Sequence, residues 1–162
     1  MTREVTVSWS DPAALAAAAA AMSGLEFLRA ICDGRLPAPP IARLLGFRLV
    51  EVDAGHAAFE VMPGEQHYNP IGLVHGGLAM TLLDSAMGCA VHTRMPAGGG
   101  YTTLEAKTNL TRPITAQTGL LRAVGKVLHA GARVATAEGR LVDSSGKLYA
   151  HASTTCMVLG SR

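Results

Sequence analysis

From Tyr101 onward, apolar and polar positions alternate with period two. Leu104, Ala106, Thr108 and Leu110 interleave with Thr103, Glu105, Lys107 and Asn109, which predicts a strand over 101–110. Residues 118–128, 132–143 and 147–158 continue as strands, separated only by Ala130-Gly131 and Ser144-Ser145-Gly146. Separators this short join antiparallel neighbours. In the last of these strands Leu148, Ala150, Ala152, Thr154 and Cys156 share one face, and Tyr149, His151, Ser153, Thr155 and Met157 the other.

Upstream the pattern is different. Residues 47–53 and 57–62 predict a hairpin about Asp53-Ala54-Gly55, with Ala57, Phe59 and Val61 on its inner face. Residues 63–75 form a loop rich in Pro, Gly, Asn and His, and 96–100 (PAGGG) a second, flexible one. Between them a helix over 76–93 is apolar nearly all round, which predicts a buried helix rather than a surface one. A short helix from Ile41 ends at Leu45 before Gly46. An Ala-rich helix over about 11–32 opens with Asp11 as N-cap and Pro12 in its first turn. Asp33-Gly34 and the prolines at 37, 39 and 40 end it. Two strands, one long helix and then three or four strands describe an α+β protein, with one helix wrapped by a curved antiparallel sheet. A parallel sheet would need more crossover helices. The division expected is 1–36, a helical extension, and 37–162, the main domain.

Composition narrows the class. The 162 residues suffice for one domain with a proper core, and 49% apolar against 16% charged residues describes a folded chain. A net charge of +2 gives no electrostatic reason to expect nucleic acid or an anionic membrane as partner. Cys32, Cys89 and Cys156 are odd in number and far apart, as reduced thiols of a cytoplasmic protein are, and lack the close pairs of a zinc site. Ala13–Met22 has neither the basic start of a signal peptide nor the length of a membrane span.

The chemistry concentrates in 67–84, HYNPIGLVHGGLAMTLLD. Gly76-Gly77 opens the central helix, where free N–H groups and a partial positive charge favour an anion. Asp84 then stands among Met80, Leu82, Leu83 and Met87, where a carboxylate is costly to desolvate. Thr81, Asp84, Ser85 and Gly88 share one helical stripe, extended by His92. Gly88 costs about 1 kcal/mol relative to alanine in a helix, so something approaches it closely. Bland readings stand beside these. Asp84 is also compatible with a satisfied core acid, His75 with a simple helix cap, and Asn69-Pro70 with a turn. His56, His67, His129 and His151 lack metal-ligand spacing and read as surface or strand residues.

The segment Asn69-Pro70-Ile71-Gly72-Leu73-Val74-His75-Gly76-Gly77, with Asp84 nine residues after the histidine, resembles the signature of hotdog-fold acyl-CoA thioesterases. The branch it resembles is the phenylacetate-degradation (PaaI-type) and hydroxybenzoyl-CoA one, over roughly residues 40–158. The resemblance implies the hotdog fold, hydrolysis of an acyl-CoA or aryl-CoA thioester, and a homodimer, often paired into a homotetramer, with active sites at the dimer interface. Residue by residue, it implies Gly76 N–H as oxyanion donor and Asp84 as nucleophile or general base. It implies Asn69 as orienting the water or the thioester, His75 as lying near the thioester, and Thr103 as the hydroxyl that helps place water. Gly77, Met87 and Gly88 would line the substrate site, with Met80 and Leu83 near the acyl group, and Arg112 and Arg133 are candidates for the CoA phosphates. Thioester hydrolysis requires no metal or redox cofactor, and none is expected. Two alternatives remain open at this point: a hotdog dehydratase or hydratase on an acyl thioester, for which Asn69 stands where a base is wanted, and a non-catalytic acyl-CoA-binding module.

Overall fold

A computed structural model describes residues 2–160; Met1 and residues 161–162, the outer ends of the two expected segments, lie outside it. Six antiparallel strands form one sheet in the order β1-β2-β4-β5-β6-β3. They are β1 (Phe47–Asp53), β2 (His56–Val61), β3 (Gly100–Leu110), β4 (Leu121–Ala130), β5 (Val134–Asp143) and β6 (Leu148–Leu159). The sheet curves around α4 (Gly76–His92), which touches all six strands. This is the hotdog arrangement expected from the sequence.

The interior is built from small residues on the sheet and larger ones on the helix. Leu82, Leu83, Met87 and Val91 of α4 are fully enclosed, facing Ala57, Ala123, Ala137, Ala150 and Leu141. A Cβ on Gly125 of β4 would overlap the Ala86 carbonyl, so the absent side chain lets the helix backbone lie directly on the sheet. Met87 packs onto Gly139 of β5 and is core; it does not line an open pocket. Leu83 is equally enclosed, which leaves Met80, 47% exposed, as the open member of the three expected beside the acyl group.

Three expectations are corrected. First, the helix predicted over 11–32 is two helices, α1 (Pro12–Ala21) and α2 (Gly24–Cys32). Ser23 starts the second with a capping box: its hydroxyl accepts from Glu26 N–H while the Glu26 carboxylate accepts from Ser23 N–H. None of α1 is buried, whereas Phe27, Leu28 and Ala30 of α2 are, against β1 and α4. Burial of the two large ones, Phe27 and Leu28, contributes about 1.5–3 kcal/mol each and holds α2 against β1 and α4. Second, strict alternation through 103–110 fails. A β-bulge between Thr103 and Glu105 leaves Leu104 unpaired and 58% exposed. Third, α4 is not enclosed on all sides. Nine of its 17 residues are buried, and a stripe containing Met80 and Asp84 stays open.

The short helix α3 (Pro40–Leu45) ends as expected at Gly46, in the left-handed conformation with φ 68°. Residues 2–10 form no regular element and pass beside α3 and the 3-10 turn Glu65–His67. No helix among the described residues is long and apolar enough to cross a membrane.

Candidate active site

The loop 68–75 is held by its own backbone and by Asn69. Tyr68 and Val74 form a bridge, and Val74 N–H donates to Ile114 carbonyl. Asn69 Oδ1 accepts from Ile71 N–H at 3.1 Å and from Leu73 N–H at 3.2 Å. Those two donors define which end of the amide is oxygen, so the Asn69 NH2 group is left to face outward. His67, expected at the surface, is buried. Gly64 N–H donates to its Nδ1, and its Nε2 lies 3.1 Å from Leu45 carbonyl.

The loop delivers the chain into α4 with His75 as N-cap. His75 Nδ1 accepts from Gly77 N–H at 2.8 Å, so the ring caps the helix, as the bland reading had it. A neutral His75 therefore carries its proton on Nε2 and can donate outward. A Cβ on Gly77 would stand 2.8 Å from that Nδ1, which is why glycine is needed there. Leu78 N–H donates to His75 carbonyl. Gly76 N–H has no partner among the described residues and is the free donor at the positive end of the helix. Of the two glycines, only the first keeps its N–H for a ligand.

Two recesses flank this point. One of about 320 Å³ is lined by Asn69, Val74, Gly76, Leu110, Arg112 and Pro113. The other, of about 370 Å³, is lined by residues that include Leu45, Tyr68, His75, Gly77, Leu78 and Thr81. Arg112 thus stands beside the Gly76 donor. Arg133 does not: it sits in the β4–β5 turn, where Val158 N–H donates to its carbonyl. That is the β6 end paired with Tyr101, at the opposite end of β3 from Leu110, after which Arg112 leaves the sheet. Within one chain Arg112 and Arg133 lie at opposite ends of the sheet.

Asp84 lies two helical turns beyond Gly76 and is exposed, not buried among apolar side chains as expected. Thr103 Oγ1 donates to Asp84 Oδ1 at 3.0 Å, reaching across from β3. The second carboxylate oxygen makes no hydrogen bond among the described residues. Gly88, one turn on, carries the Tyr101 ring: a Cβ there would lie 2.5 Å from the phenolic oxygen. The close approach expected at Gly88 is therefore made by Tyr101, not by an open pocket. Tyr101 packs in turn on His92, which also meets Phe27. Burial and the nearby Asp84 charge hold the Tyr101 hydroxyl well above its ordinary value. Burial, with the same charge, pushes the Cys89 thiol up to about 12, so it is no nucleophile at neutral pH.

Tyr68 and Tyr101 are site neighbours not singled out from the sequence. Tyr68 Oη accepts from Ala116 N–H and its ring walls the second recess. Its position directly before Asn69 was the available signal; Tyr101 had none beyond heading the strand that carries Thr103. No cluster of three or more His, Cys, Asp or Glu side chains suited to a metal occurs among the described residues.

A hotdog sheet thus wraps one helix that begins with a free N–H and carries a threonine-held carboxylate. Residues 71–150 match the Thioesterase superfamily, and the chain belongs to that family. A Saccharolobus solfataricus protein provisionally named as an esterase is 30% identical over 125 residues, 77% of this chain and 87% of its own. The crystal structure of a conserved Pseudomonas aeruginosa protein superposes with TM-score 0.70 at 30% identity, covering 75% of this chain and 95% of that one. A variant of the phenylacetic acid degradation protein PaaI from Thermus thermophilus gives 0.66 at 28% identity, over 74% and 98% of the two chains. The Escherichia coli PaaI protein has the same fold, with TM-score 0.72 at 22% identity over 87% and 98%.

Proposed function

We propose that the protein hydrolyses an acyl-CoA or aryl-CoA thioester at a site completed by a second copy of the chain. The observation that carries this reading is the spacing of its two chemical groups. Gly76 and Asp84 are eight residues apart on one straight helix, about 12 Å at 1.5 Å per residue. A reacting carbonyl must lie about 3 Å from both oxyanion donor and nucleophile. One copy therefore supplies the Gly76 end and the other supplies Asp84. Supporting the pairing, β3 is an edge strand of 11 residues whose side chains are mostly exposed. Leu104 on that strand and Met80 on α4 are both open, and edges of this kind template pairing with another chain.

In this reading the thioester carbonyl oxygen accepts from Gly76 N–H of one copy, with the Asn69 NH2 group beside it. Asp84 of the other copy takes a proton from water through its free oxygen, while Thr103 holds the carboxylate in place. The water oxygen bonds to the carbonyl carbon, and the oxyanion that forms is stabilised by the helix start. Collapse breaks the carbon–sulfur bond, and the leaving thiolate takes the proton back from Asp84. Arg112, which lines the recess at Gly76, supports this reading as the cation for a CoA phosphate.

Asp84→Ala tests the assignment. Release of free CoA thiol from a panel of acyl- and aryl-CoAs is expected to fall about 10²–10⁴-fold. Thermal stability is expected to move by no more than about 0.5 kcal/mol, because the side chain is exposed. Turnover unchanged in the variant would remove Asp84 from the chemistry. A single turnover in ¹⁸O-water separates the two routes: label entering the acid at once marks Asp84 as base, and label entering the enzyme first marks it as nucleophile.

A further inference from the structure

The proposed reaction leaves residues 2–10 without a role, yet they are laid against the site. Arg3 Nε pairs with Glu65 Oε2 at 2.8 Å. Further along, Arg43 Nε donates to Ser8 carbonyl at 3.3 Å. Between these ties the arm forms one side of an open groove of about 860 Å³, whose lining includes Arg3, Val5, Gln66 and Tyr68. Gln66 and Tyr68 also line the recess that ends at His75 and Gly77. The groove is thus an outward continuation of that recess, with the arm as its far wall.

Charge decides which end of a thioester lies there. Glu4 and Glu65 border the groove, with Arg3 already paired, so CoA phosphates are disfavoured. The recess on the other side of Gly76 offers Arg112 instead. What remains for the groove is the uncharged acyl end, meeting Tyr68, the Val5 side chain and the Gln66 stem.

We propose that residues Arg3–Ser8 act as a strap along the outer end of the acyl site and set the length of acyl chain the protein accepts. The proposal rests on the thioesterase reading for the identity of the ligand. Val5, 62% exposed, is the apolar side chain the arm presents at this groove. A larger residue there shortens the site without touching the groups assigned to chemistry.

Trp9 is the chain's one tryptophan and lies on the arm, beside Pro37 and Arg43. Its emission therefore reports arm position. The experiment titrates the full chain with non-hydrolysable alkyl-CoA thioethers from ethyl to dodecyl, following Trp9, and in parallel measures thiol release from the matching acyl-CoAs. Val5→Phe is expected to weaken binding of the longest thioethers about tenfold, the scale of a methylene misfit in an apolar pocket, and to leave the shortest within twofold. Glu65→Arg, which repels Arg3, is expected to shift Trp9 emission in the free protein and flatten the dependence on chain length. Length profiles for both variants that superpose on the unmodified protein's would overturn the strap. Absence of thiol release, with the binding profiles shifted as expected, would overturn hydrolysis and leave the strap standing.

Discussion

His92 shows how a polar side chain is used structurally once a helix is turned inward. Its ring lies between Phe27 of α2 and Tyr101 of β3, with centroids 5.7 and 5.6 Å away. Burial lowers its pKa from the ordinary value of 6.5. The unfolded chain therefore binds the proton more readily than the native one. Above pH 6.5 both states carry the neutral ring and His92 adds no pH dependence. As pH falls below that value the unfolded state gains, and native stability drops until the lowered native pKa is reached. His92→Phe is expected to flatten urea midpoints across that acid window; a slope unchanged by the substitution would assign the acid sensitivity to other groups. The sequence placed His92 correctly on the stripe with Asp84 and Gly88. It could not show that the stripe divides: its lower part meets solvent, and its upper part is filled by Tyr101 and Phe27.

At the scale of elements, α4 lies directly on β4 because Gly125 has no side chain. Gly125 meets helix backbone, which cannot yield as a side-chain end can. Gly125→Ala is expected to destabilise the domain by about 3 kcal/mol, the upper range for overpacking, measured as the shift in a urea unfolding midpoint. Gly146→Ala, in a turn with φ 82° and open space around it, is the contrasting case: its cost is backbone strain alone. Most elements were legible because their signals are local. Asp11-Pro12, Gly46 and Asp53-Ala54-Gly55 each stand where the expected cap or turn is found. The break between α1 and α2 was missed: Ser23-x-x-Glu26 is a capping box, but the Ala-rich run before it concealed the boundary. The bulge at Leu104 had no such signature. It depends on how β3 is registered against β6, which is a long-range fact.

For the whole molecule, the same limit separates what the sequence showed of the site from what it did not. The loop, the glycine pair and the acid were visible as a motif, because all lie within one short segment. Asp84 was expected to be desolvated within its own chain, and instead it faces outward beside the exposed edge of β3. Periodicity records that a helix is apolar all round; it does not record whether its own sheet or a second molecule covers the last face. The 12 Å between donor and acid, about two helical turns, has a genetic consequence in the proposed dimer. Gly76→Pro removes the free N–H while suiting the first position of a helix, and His75 before it already has the extended backbone that proline requires. Copies carrying Gly76→Pro and copies carrying Asp84→Ala are each expected to be inactive alone. Co-expressed, they complement one another, since a mixed pair holds one site with both groups intact, and random pairing restores about a quarter of the sites.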